Sequence, residues 1–229
     1  MMEDAKAYEA LRVGFTAAVS HELRTPLARL MAILDSASLP GADQDSLLAQ
    51  AREEVEEMTE LVNDVLFLSE LESGREVVAL GGTRALPVLE EVRDRLTDSA
   101  ERADVVIRID AASEVVLPLR RRMLQTIVEN LAQNAIRYAG PGSTLTLTAR
   151  PGLLEVADGG RGVEERELPR LFERFYRSDS ARASRGTGLG LAIVKHVVVS
   201  AGGEIQASGG PGRGLRIVCS FPTPAHGLA

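Results

Sequence analysis

The sequence is short of the residues on which several classes of protein depend. Its 229 residues include one cysteine, Cys219, and no tryptophan, and aromatic side chains make up only 3% of the chain. A single cysteine excludes an intrachain disulfide and a cysteine-based metal cluster, and the apolar neighbours of Cys219 predict a buried thiol in a strand. We expect a core built from Leu, Val, Ile and Ala, since the hydrophobic content of 45% is sufficient for one.

An excess of positive charge and long apolar runs are also lacking. The net charge of −7 argues against a nucleic-acid-binding protein, which needs a basic surface to neutralise phosphates. The sequence has neither a run of about 18 apolar residues nor a signal peptide, so we expect no membrane contact by this chain itself. These features predict a cytoplasmic protein, or the cytosolic part of a longer membrane-bound one.

Two helices are predicted in residues 1–74, because apolar residues recur there at steps of three and four. Pro and Gly in residues 39–43 separate the helices, and Asp43 or Asp45 is a candidate cap for the second. One hairpin cannot bury both apolar stripes, whereas two copies packed as a four-helix bundle can. We therefore predict a homodimer through residues 1–74. The stripes are Leu11, Phe15, Val19, Leu23, Leu27, Leu30 and Leu34, then Leu47, Ala51, Val55, Met58, Val62, Val65 and Leu68.

Residues 75–229 are predicted to form a second domain of the α+β class. Gly74 and the pair Gly81-Gly82 mark the boundary, after which helices and strands alternate without the βαβ rhythm of a parallel sheet. This favours a mixed sheet covered by helices on one face. The polar, Arg- and Gly-rich residues 159–187 have the length and composition of a lid. Helices are predicted at 84–102, 120–138 and 189–201, and strands at 105–109, 115–117, 144–149, 153–157, 203–208 and 215–221.

His21 lies opposite the apolar stripe of the first helix, at about 100° per residue, so we expect it to face solvent. A lone surface histidine commonly has no function. Here, however, Glu22 can orient one imidazole nitrogen or accept its proton, which leaves the other nitrogen as a nucleophile. Pro26 removes a backbone hydrogen bond one turn further on. It predicts either a simple kink or mobility beside a reactive side chain.

The sequence has two glycine-rich segments, of which the first follows a predicted strand and the second precedes a predicted helix. They are Asp158-Gly159-Gly160-Arg161-Gly162 and Gly186-Thr187-Gly188-Leu189-Gly190. A glycine-rich turn that leads into a helix can bind phosphate, because backbone N–H groups and the helix dipole converge there. Such loops are also often only turns. The second segment is neither a P-loop nor a dinucleotide fingerprint, since it lacks the Lys-Ser/Thr ending and the βαβ context.

Asn130 and Asn134 share one face of an otherwise apolar helix, where buried amides need partners. Mg²⁺ with polyphosphate oxygens could supply those partners, and so could the backbone. Arg137 and Tyr138, near the end of the same helix, can reach the same phosphates. The segment between the glycine motifs carries aromatic residues that could anchor a lid and arginines that could neutralise a triphosphate. These residues are Phe172, Phe175, Tyr176, Arg174, Arg177, Arg182 and Arg185.

Together these segments resemble those of bacterial sensor histidine kinases, over nearly the whole chain. SHELRTPL is similar to the phospho-acceptor box, ENLAQNAIRY to the Asn box, DGGRGV and GTGLGLAIVKH to the two glycine boxes, and LFERFYR to the phenylalanine box between them. All five occur in the order and spacing of the family. The resemblance implies an all-α hairpin forming a dimeric four-helix bundle. It also implies an α+β sandwich of the Bergerat ATP-binding type, shared with gyrase-type and Hsp90-type ATPases.

The resemblance also implies roles for individual residues. His21 would accept the γ-phosphoryl group of ATP, with Glu22 as its acid–base partner, and Thr25 would position a water for dephosphorylating a partner response regulator. Asn134 would ligate Mg²⁺, and Asp158 would accept a hydrogen bond from the adenine amino group. The other cofactor-binding residues implied are Asn130, Arg137, Tyr138, Gly160, Gly162, Phe172, Phe175, Arg177, Arg185, Gly186, Thr187, Gly188, Leu189 and Gly190. His196 and His226 are expected to take no part in catalysis.

The function implied is that of an ATP-dependent protein-histidine kinase, which transfers the phosphoryl group from His21 to an aspartate of a response regulator. Phosphatase activity toward that partner is also expected, and its receiver domain would dock on the hairpin below His21, around Ala28, Met31, Ala32 and the facing second helix. One alternative is a gyrase- or Hsp90-type ATPase, against which the His-Glu-x-x-Thr-Pro pattern and Asn130 argue. Another is a degenerate kinase serving as a dimeric phosphotransfer scaffold, against which the intact motifs argue. Whether phosphorylation runs within one subunit or across the dimer depends on the handedness of the loop at 39–43, which the sequence does not determine.

Overall fold

The computed structural model describes residues 2–73, 81–178 and 186–222, with side chains described from residue 16 onward. The chain divides into two compact units. The first contains Met1–Ser69 with Ser184–Thr187, and the second contains Glu70–Ala183 with Gly188–Ala229. The domain boundary expected between residues 74 and 75 lies outside the described residues and stays a prediction. The expectation for His226 also falls outside them.

The first unit is a helical hairpin, as predicted. Its helices are α1, Met2–Ala37, and α2, Gln44–Glu72. Asp43 caps α2, since its Oδ1 accepts the Ser46 N–H at 3.1 Å and its carbonyl accepts the Leu47 N–H at 3.0 Å. Asp45, the other candidate cap, lies in the first turn of α2, where its charge favours the positive end of the helix dipole.

Part of the apolar stripe on each hairpin helix is exposed in the single chain, although Leu68 near the end of α2 is buried. Leu27 and Leu34 of α1 are 50% and 51% exposed, and Val55 and Val62 of α2 are 47% and 42% exposed. Apolar side chains this exposed, and repeated along two neighbouring helices, are typical of a surface that packs against another protein.

The second unit contains a five-stranded mixed sheet with the order β2-β4-β5-β7-β6. Strands β2 and β4 run parallel, and the other neighbouring strands run antiparallel. A separate two-stranded sheet joins β1, Thr83–Arg84, to β3, Val116–Leu117. The five strands are β2, Val105–Ala111; β4, Ser143–Arg150; β5, Leu153–Asp158; β6, Glu204–Gly209; and β7, Leu215–Ser220. The predicted mixed sheet is confirmed, and each predicted strand is present within a few residues of its expected bounds.

Three helices cover one face of this sheet: α3, Ala85–Arg102; α4, Arg121–Tyr138; and α5, Gly190–Ser200. The alternation along β4 explains which face they cover. Leu145 and Leu147 are fully buried, whereas Thr144 and Thr146 point to the opposite face and are partly exposed. Cys219 of β7 is buried, as predicted, and its burial raises the pKa of the thiol to about 12.

The core of the second unit is built from aliphatic side chains, in agreement with the composition. Leu89 of α3, Ile127 and Leu131 of α4 and Val194 of α5 are at most 2% exposed. Within the described part of the polar stretch that follows β5, residues Leu168–Arg170 form a short 3₁₀ helix. Among the described helices, none is both long enough and apolar enough to cross a membrane.

Candidate active site

His21 stands on the outside of α1, as its helical position predicts. Its side chain is 74% exposed, and its Nδ1 lies 3.6 Å from Oε1 of Glu22. This separation is slightly beyond hydrogen-bonding distance, so a small rotamer change would allow Nδ1–H to donate to the carboxylate. The other ring nitrogen, Nε2, then keeps its lone pair for attack on an electrophile.

Pro26 is buried inside α1, and the helix continues through it. In an α-helix the N–H of residue 26 would donate to the carbonyl of Glu22, and proline has no N–H to donate. The backbone hydrogen bond that is lost is therefore the one that ends next to His21. Thr25 is exposed and lies four residues after His21, on the same face of the helix.

The two asparagines of α4 lie in different surroundings. The Asn130 amide donates to the Thr126 carbonyl at 2.9 Å, and its Oδ1 lies 2.5 Å from where a Cβ on Gly190 would be. The start of α5 thus lies against the Asn130 side chain, which would have to shift to admit a side chain at position 190. Asn134, one turn further on, is half-buried, and its side chain has no hydrogen-bond partner within the described part of the chain. Its amide oxygen is available to a ligand.

A metal at Asn134 would depend on oxygen ligands from outside the chain. Within the described ranges, no three His, Cys, Asp or Glu side chains cluster as metal ligands. An amide oxygen completed by phosphate oxygens and waters suits Mg²⁺, which keeps several waters when bound to nucleotides. The donor chemistry at Asn134 fits that ion.

Asp158 ends β5 with its carboxylate partly buried and oriented by the backbone. Its Oδ1 accepts the Gly160 N–H at 2.9 Å and the Leu215 N–H at 3.3 Å. Burial raises the pKa of this carboxyl group, and the two backbone hydrogen bonds partly oppose that rise. Neither donor reaches Oδ2, which leaves that oxygen to accept a hydrogen bond from a bound molecule.

Two glycines of the first glycine-rich segment, Gly160 and Gly162, are required by contacts within the protein. A Cβ on Gly160 would lie 2.2 Å from Cα of Ala139, at the end of α4. A Cβ on Gly162, which has a φ of +66°, would lie 2.1 Å from the Gly210 carbonyl oxygen. The expected contact of these glycines with phosphates stays a prediction, because their close neighbours here are backbone atoms of the chain.

The phenylalanine box is joined to the second glycine-rich segment through backbone contacts. Phe175 has a φ of +60°, which is unusual for a bulky side chain, and its N–H donates to the Gly188 carbonyl at 2.9 Å. A Cβ on Gly188 would lie 2.9 Å from Cα of Phe175. The Tyr176 hydroxyl donates to Oε1 of Glu167 at 3.2 Å, while Arg170 stacks over its ring at 4.3 Å.

The remaining predicted residues fall around these contacts. Tyr138 lies beneath the guanidinium of Arg161 at 5.7 Å, which joins the end of α4 to the first glycine-rich segment. Arg137 is exposed, Phe172, Arg177 and Thr187 are half-buried, Leu189 is fully buried, and Gly186 has a φ of 139°. Arg185, like Arg182, lies outside the described residues.

The second unit therefore brings four sequence motifs together. Ala139 meets Gly160, Asn130 meets Gly190, and Phe175 meets Gly188, so the Asn box, the first glycine box, the phenylalanine box and the second glycine box from Gly188 onward are neighbours. The turn between β6 and β7, with the sequence Gly210-Pro211-Gly212-Arg213-Gly214, reaches this group of motifs through Gly214, which lies against Asp158, and Gly210, which lies against Gly162. Sequence reasoning missed it, although it has more glycines than a hairpin turn requires.

Two family models match the chain. Residues 11–74 match the family described as "His Kinase A (phospho-acceptor) domain". Residues 120–225 match the family described as "Histidine kinase-, DNA gyrase B-, and HSP90-like ATPase", which implies that ATP is used. Together they include every motif on which the resemblance rests.

Curated relatives and solved structures agree with these matches. The chain is 34% identical over 229 residues to the sensor-like histidine kinase SenX3 of Mycobacterium tuberculosis, covering 96% of this chain and 56% of SenX3. The histidine kinase AdeS of Acinetobacter baumannii is similar in structure, with a TM-score of 0.70 and 27% identity over 89% of this chain and 98% of AdeS.

The same fold occurs in histidine kinase ThkA, solved in complex with response regulator protein TrrA. Its TM-score is 0.73 at 20% identity, covering 96% of this chain and 65% of that one. The chain spans about half the length of the curated relatives it matches. With both family domains present in order, and with the motifs of each in place, this chain belongs to the sensor histidine kinases and carries the catalytic core of that family.

Proposed function

We propose that this chain uses ATP to phosphorylate itself on His21 and then passes the phosphoryl group to an aspartate of a response regulator. The observation that carries the proposal is an exposed histidine with a carboxylate 3.6 Å from its Nδ1, in a segment that matches the phospho-acceptor family. A kinase also needs a site for ATP, and the Asn, glycine and phenylalanine boxes that lie next to one another in the second unit would supply it.

The chemical step requires little covalent help from the protein. The Nε2 lone pair of His21 would attack the γ-phosphorus, and the bond from that phosphorus to the bridging oxygen would break, with its electrons leaving on ADP. Glu22 would take the Nδ1 proton, so that the phosphorylated imidazole becomes neutral. Most of the rate would come from placing the reactants in line and from neutralising phosphate charge.

The nucleotide would be held by residues of the second unit. Asp158 would accept from the adenine amino group through Oδ2, because Oδ1 is occupied by two backbone donors. Asn134 would hold Mg²⁺, which supplies charge neutralisation at the phosphates when bound. Asn130, Arg137 and Tyr138 lie on the same helix, with Asn130 one turn before Asn134 and the other two in the last turn. They would contact the phosphates from there.

The partners follow from the exposed surface of the hairpin. The exposed stripe residues on α1 and α2 favour a homodimer through residues 1–74, in which two hairpins bury their stripes as a four-helix bundle. Ala28, Met31 and Ala32 are exposed about two to three turns after His21 and would receive the receiver domain. The complex of ThkA with a response regulator supports that class of partner. Since ATP and receiver domains are cytosolic, we place this chain in the cytoplasm.

The alternatives are less well supported. A gyrase- or Hsp90-type ATPase does not require a phospho-acceptor domain, whereas residues 11–74 match the family model of that domain. A degenerate scaffold would not need to retain an oriented Asp158 carboxylate, or an Asn134 amide that has no partner among the described residues. Phosphatase activity toward the response regulator, with Thr25 positioning the attacking water, is part of the same proposal.

The test is incubation of the purified chain with Mg²⁺ and ATP labelled at the γ-phosphate. We expect label that is stable in alkali and labile in acid, and that disappears in a His21→Gln variant. His196→Gln is the matched control, because His196 is a half-buried residue of α5 that is expected to take no part in catalysis. It should retain the label. Label that persists in His21→Gln, or ATP consumption without any label, would refute the proposal.

A further inference from the structure

The carboxylate of Asp158 is held from two directions. One donor to Oδ1, the Gly160 N–H, comes from the same turn, and the other, the Leu215 N–H, comes from 57 residues further along the chain. Two donors on one carboxylate oxygen restrict the side-chain torsions and so determine where Oδ2 points. The sequence motif around Asp158 contains only the first of these donors.

The register of the sheet brings the second donor into place. The ladder between β5 and β7 ends at the pair Ala157 and Arg216. Leu215 therefore lies opposite Asp158, one position beyond the last pair. Its N–H donates to the Asp158 carboxylate at the position where the backbone pairing of β5 with β7 ends.

Gly214 makes this approach possible. A Cβ at this position would lie 1.9 Å from the carbonyl oxygen and 2.8 Å from the carbonyl carbon of Asp158, and both are backbone atoms that cannot rotate away. Gly212 has nearly the same φ, +72° against +71° for Gly214, but no atom lies within 4 Å of its Cβ position. Alanine at either position would therefore be strained by the same positive φ, and only at position 214 would its Cβ also meet the Asp158 backbone.

We propose that Gly214 and the Leu215 N–H are positioning elements that orient the Asp158 carboxylate and thereby set both the affinity for ATP and the preference for adenine over guanine. This inference rests on the proposed function, since it assigns the β6–β7 turn to the same nucleotide site. An adenine amino group donates a hydrogen bond, whereas guanine carries a carbonyl at that position, so discrimination depends on a correctly placed acceptor.

The test compares Gly214→Ala with Gly212→Ala in the full chain. Binding of ATP and of GTP is measured by calorimetry, and autophosphorylation is measured at saturating ATP. We expect Gly214→Ala to raise Kd for ATP about tenfold, or about 1.4 kcal/mol, and to reduce the preference for ATP over GTP by a similar factor. Its kcat should stay within about twofold of the unaltered chain, because the phosphate contacts are unchanged. Gly212→Ala should match the unaltered chain in both affinities.

The outcomes separate this inference from the proposed function. If the unaltered chain binds no ATP, the proposed function and the positioning role both fail. If the unaltered chain binds ATP, and Gly214→Ala matches Gly212→Ala in both Kd values, only the positioning role is overturned. A fall in kcat with unchanged affinity would also overturn it.

A second measurement decides the matter if Gly214→Ala does not fold. Amide hydrogen exchange at Leu215 and at Ile217, which lies inside the ladder, is compared between the unaltered chain and Asp158→Ala. We expect exchange at Leu215 to accelerate at least about tenfold when the carboxylate is removed, with Ile217 unchanged. Equal protection of Leu215 in both proteins would show that its N–H does not depend on Asp158 and would overturn the proposal.

Discussion

Adjacent glycines in the segment after β5 offer a sharp test of the packing around the nucleotide motifs. A Cβ on Gly160 would lie 2.2, 2.4 and 2.6 Å from three backbone atoms of Ala139, whereas a Cβ on Gly159 would meet the Thr144 carbonyl oxygen at 3.9 Å, an ordinary contact. Neither glycine has a positive φ, so a substitution at either position adds no left-handed strain. The two variants Gly160→Ala and Gly159→Ala therefore differ in the steric clash alone.

The magnitude follows from that clash. Relief would require the turn and the end of α4 to separate by about 1 Å, and overpacking of this kind costs about 1–3 kcal/mol. Gly159→Ala should instead be neutral or should stabilise the fold by about 0.4–1 kcal/mol, because alanine reduces the entropy of the unfolded chain. For a chain of this length, each kcal/mol corresponds to about 2–4 °C in Tm.

Urea unfolding followed by circular dichroism measures the difference between the two variants. We expect Gly160→Ala to unfold at lower urea concentration with an unchanged m-value. It should also bind ATP more weakly, since the Gly160 N–H is one of the donors that orient Asp158. Unfolding free energies that agree within about 0.5 kcal/mol for the two variants would refute the reasoning, because the clash would then have no energetic consequence.

Two further predictions concern Asp158 and Thr25. Burial raises the pKa of Asp158 above its ordinary 3.8, so the native state holds this proton more tightly than the unfolded state and loses stability as the pH rises from 3.8 through the native pKa. Asp158→Asn should therefore bind ATP poorly, yet gain stability relative to the unaltered chain at neutral pH. That gain should vanish below pH 3.8, and urea unfolding across the pH range would contradict the prediction if the gain were constant. Thr25→Ala should autophosphorylate normally and dephosphorylate the response regulator about tenfold or more slowly. Thr59→Ala is the control, because the Thr59 hydroxyl donates to the Val55 carbonyl of its own helix. Equal loss of both activities in Thr25→Ala would exclude the role assigned to Thr25.

The hairpin was predictable because its determinants are local. Apolar residues at steps of three and four determine α1 and α2, and Asp43 caps the second helix through donors only three and four residues away. The exposure of His21 follows from the same periodicity. Alternation of Leu and Thr likewise predicts β4 and its buried face without reference to any other strand.

Contacts between distant segments were not predictable in the same way. The sequence indicates that glycine-rich turns lie near phosphates, but it does not reveal that Gly160 meets Ala139 or that Gly190 meets Asn130. The β6–β7 turn was missed for the same reason, because its contacts with Asp158 and Gly162 form only when β7 pairs with β5. Each of these contacts joins segments that the sheet order and the packing of the helices bring together.

The sequence by itself determined the helices and strands, the exposed histidine with its carboxylate, and the set of motifs that a kinase of this family needs. These depend on the spacing of residues within a short segment, which periodicity and local hydrogen bonding control. Only the tertiary structure decided how the Asp158 carboxylate is oriented and why Gly160 and Gly214 admit no side chain. Those features depend on strand register and on helix-to-loop distances, which arise only when segments far apart in the chain pack against one another.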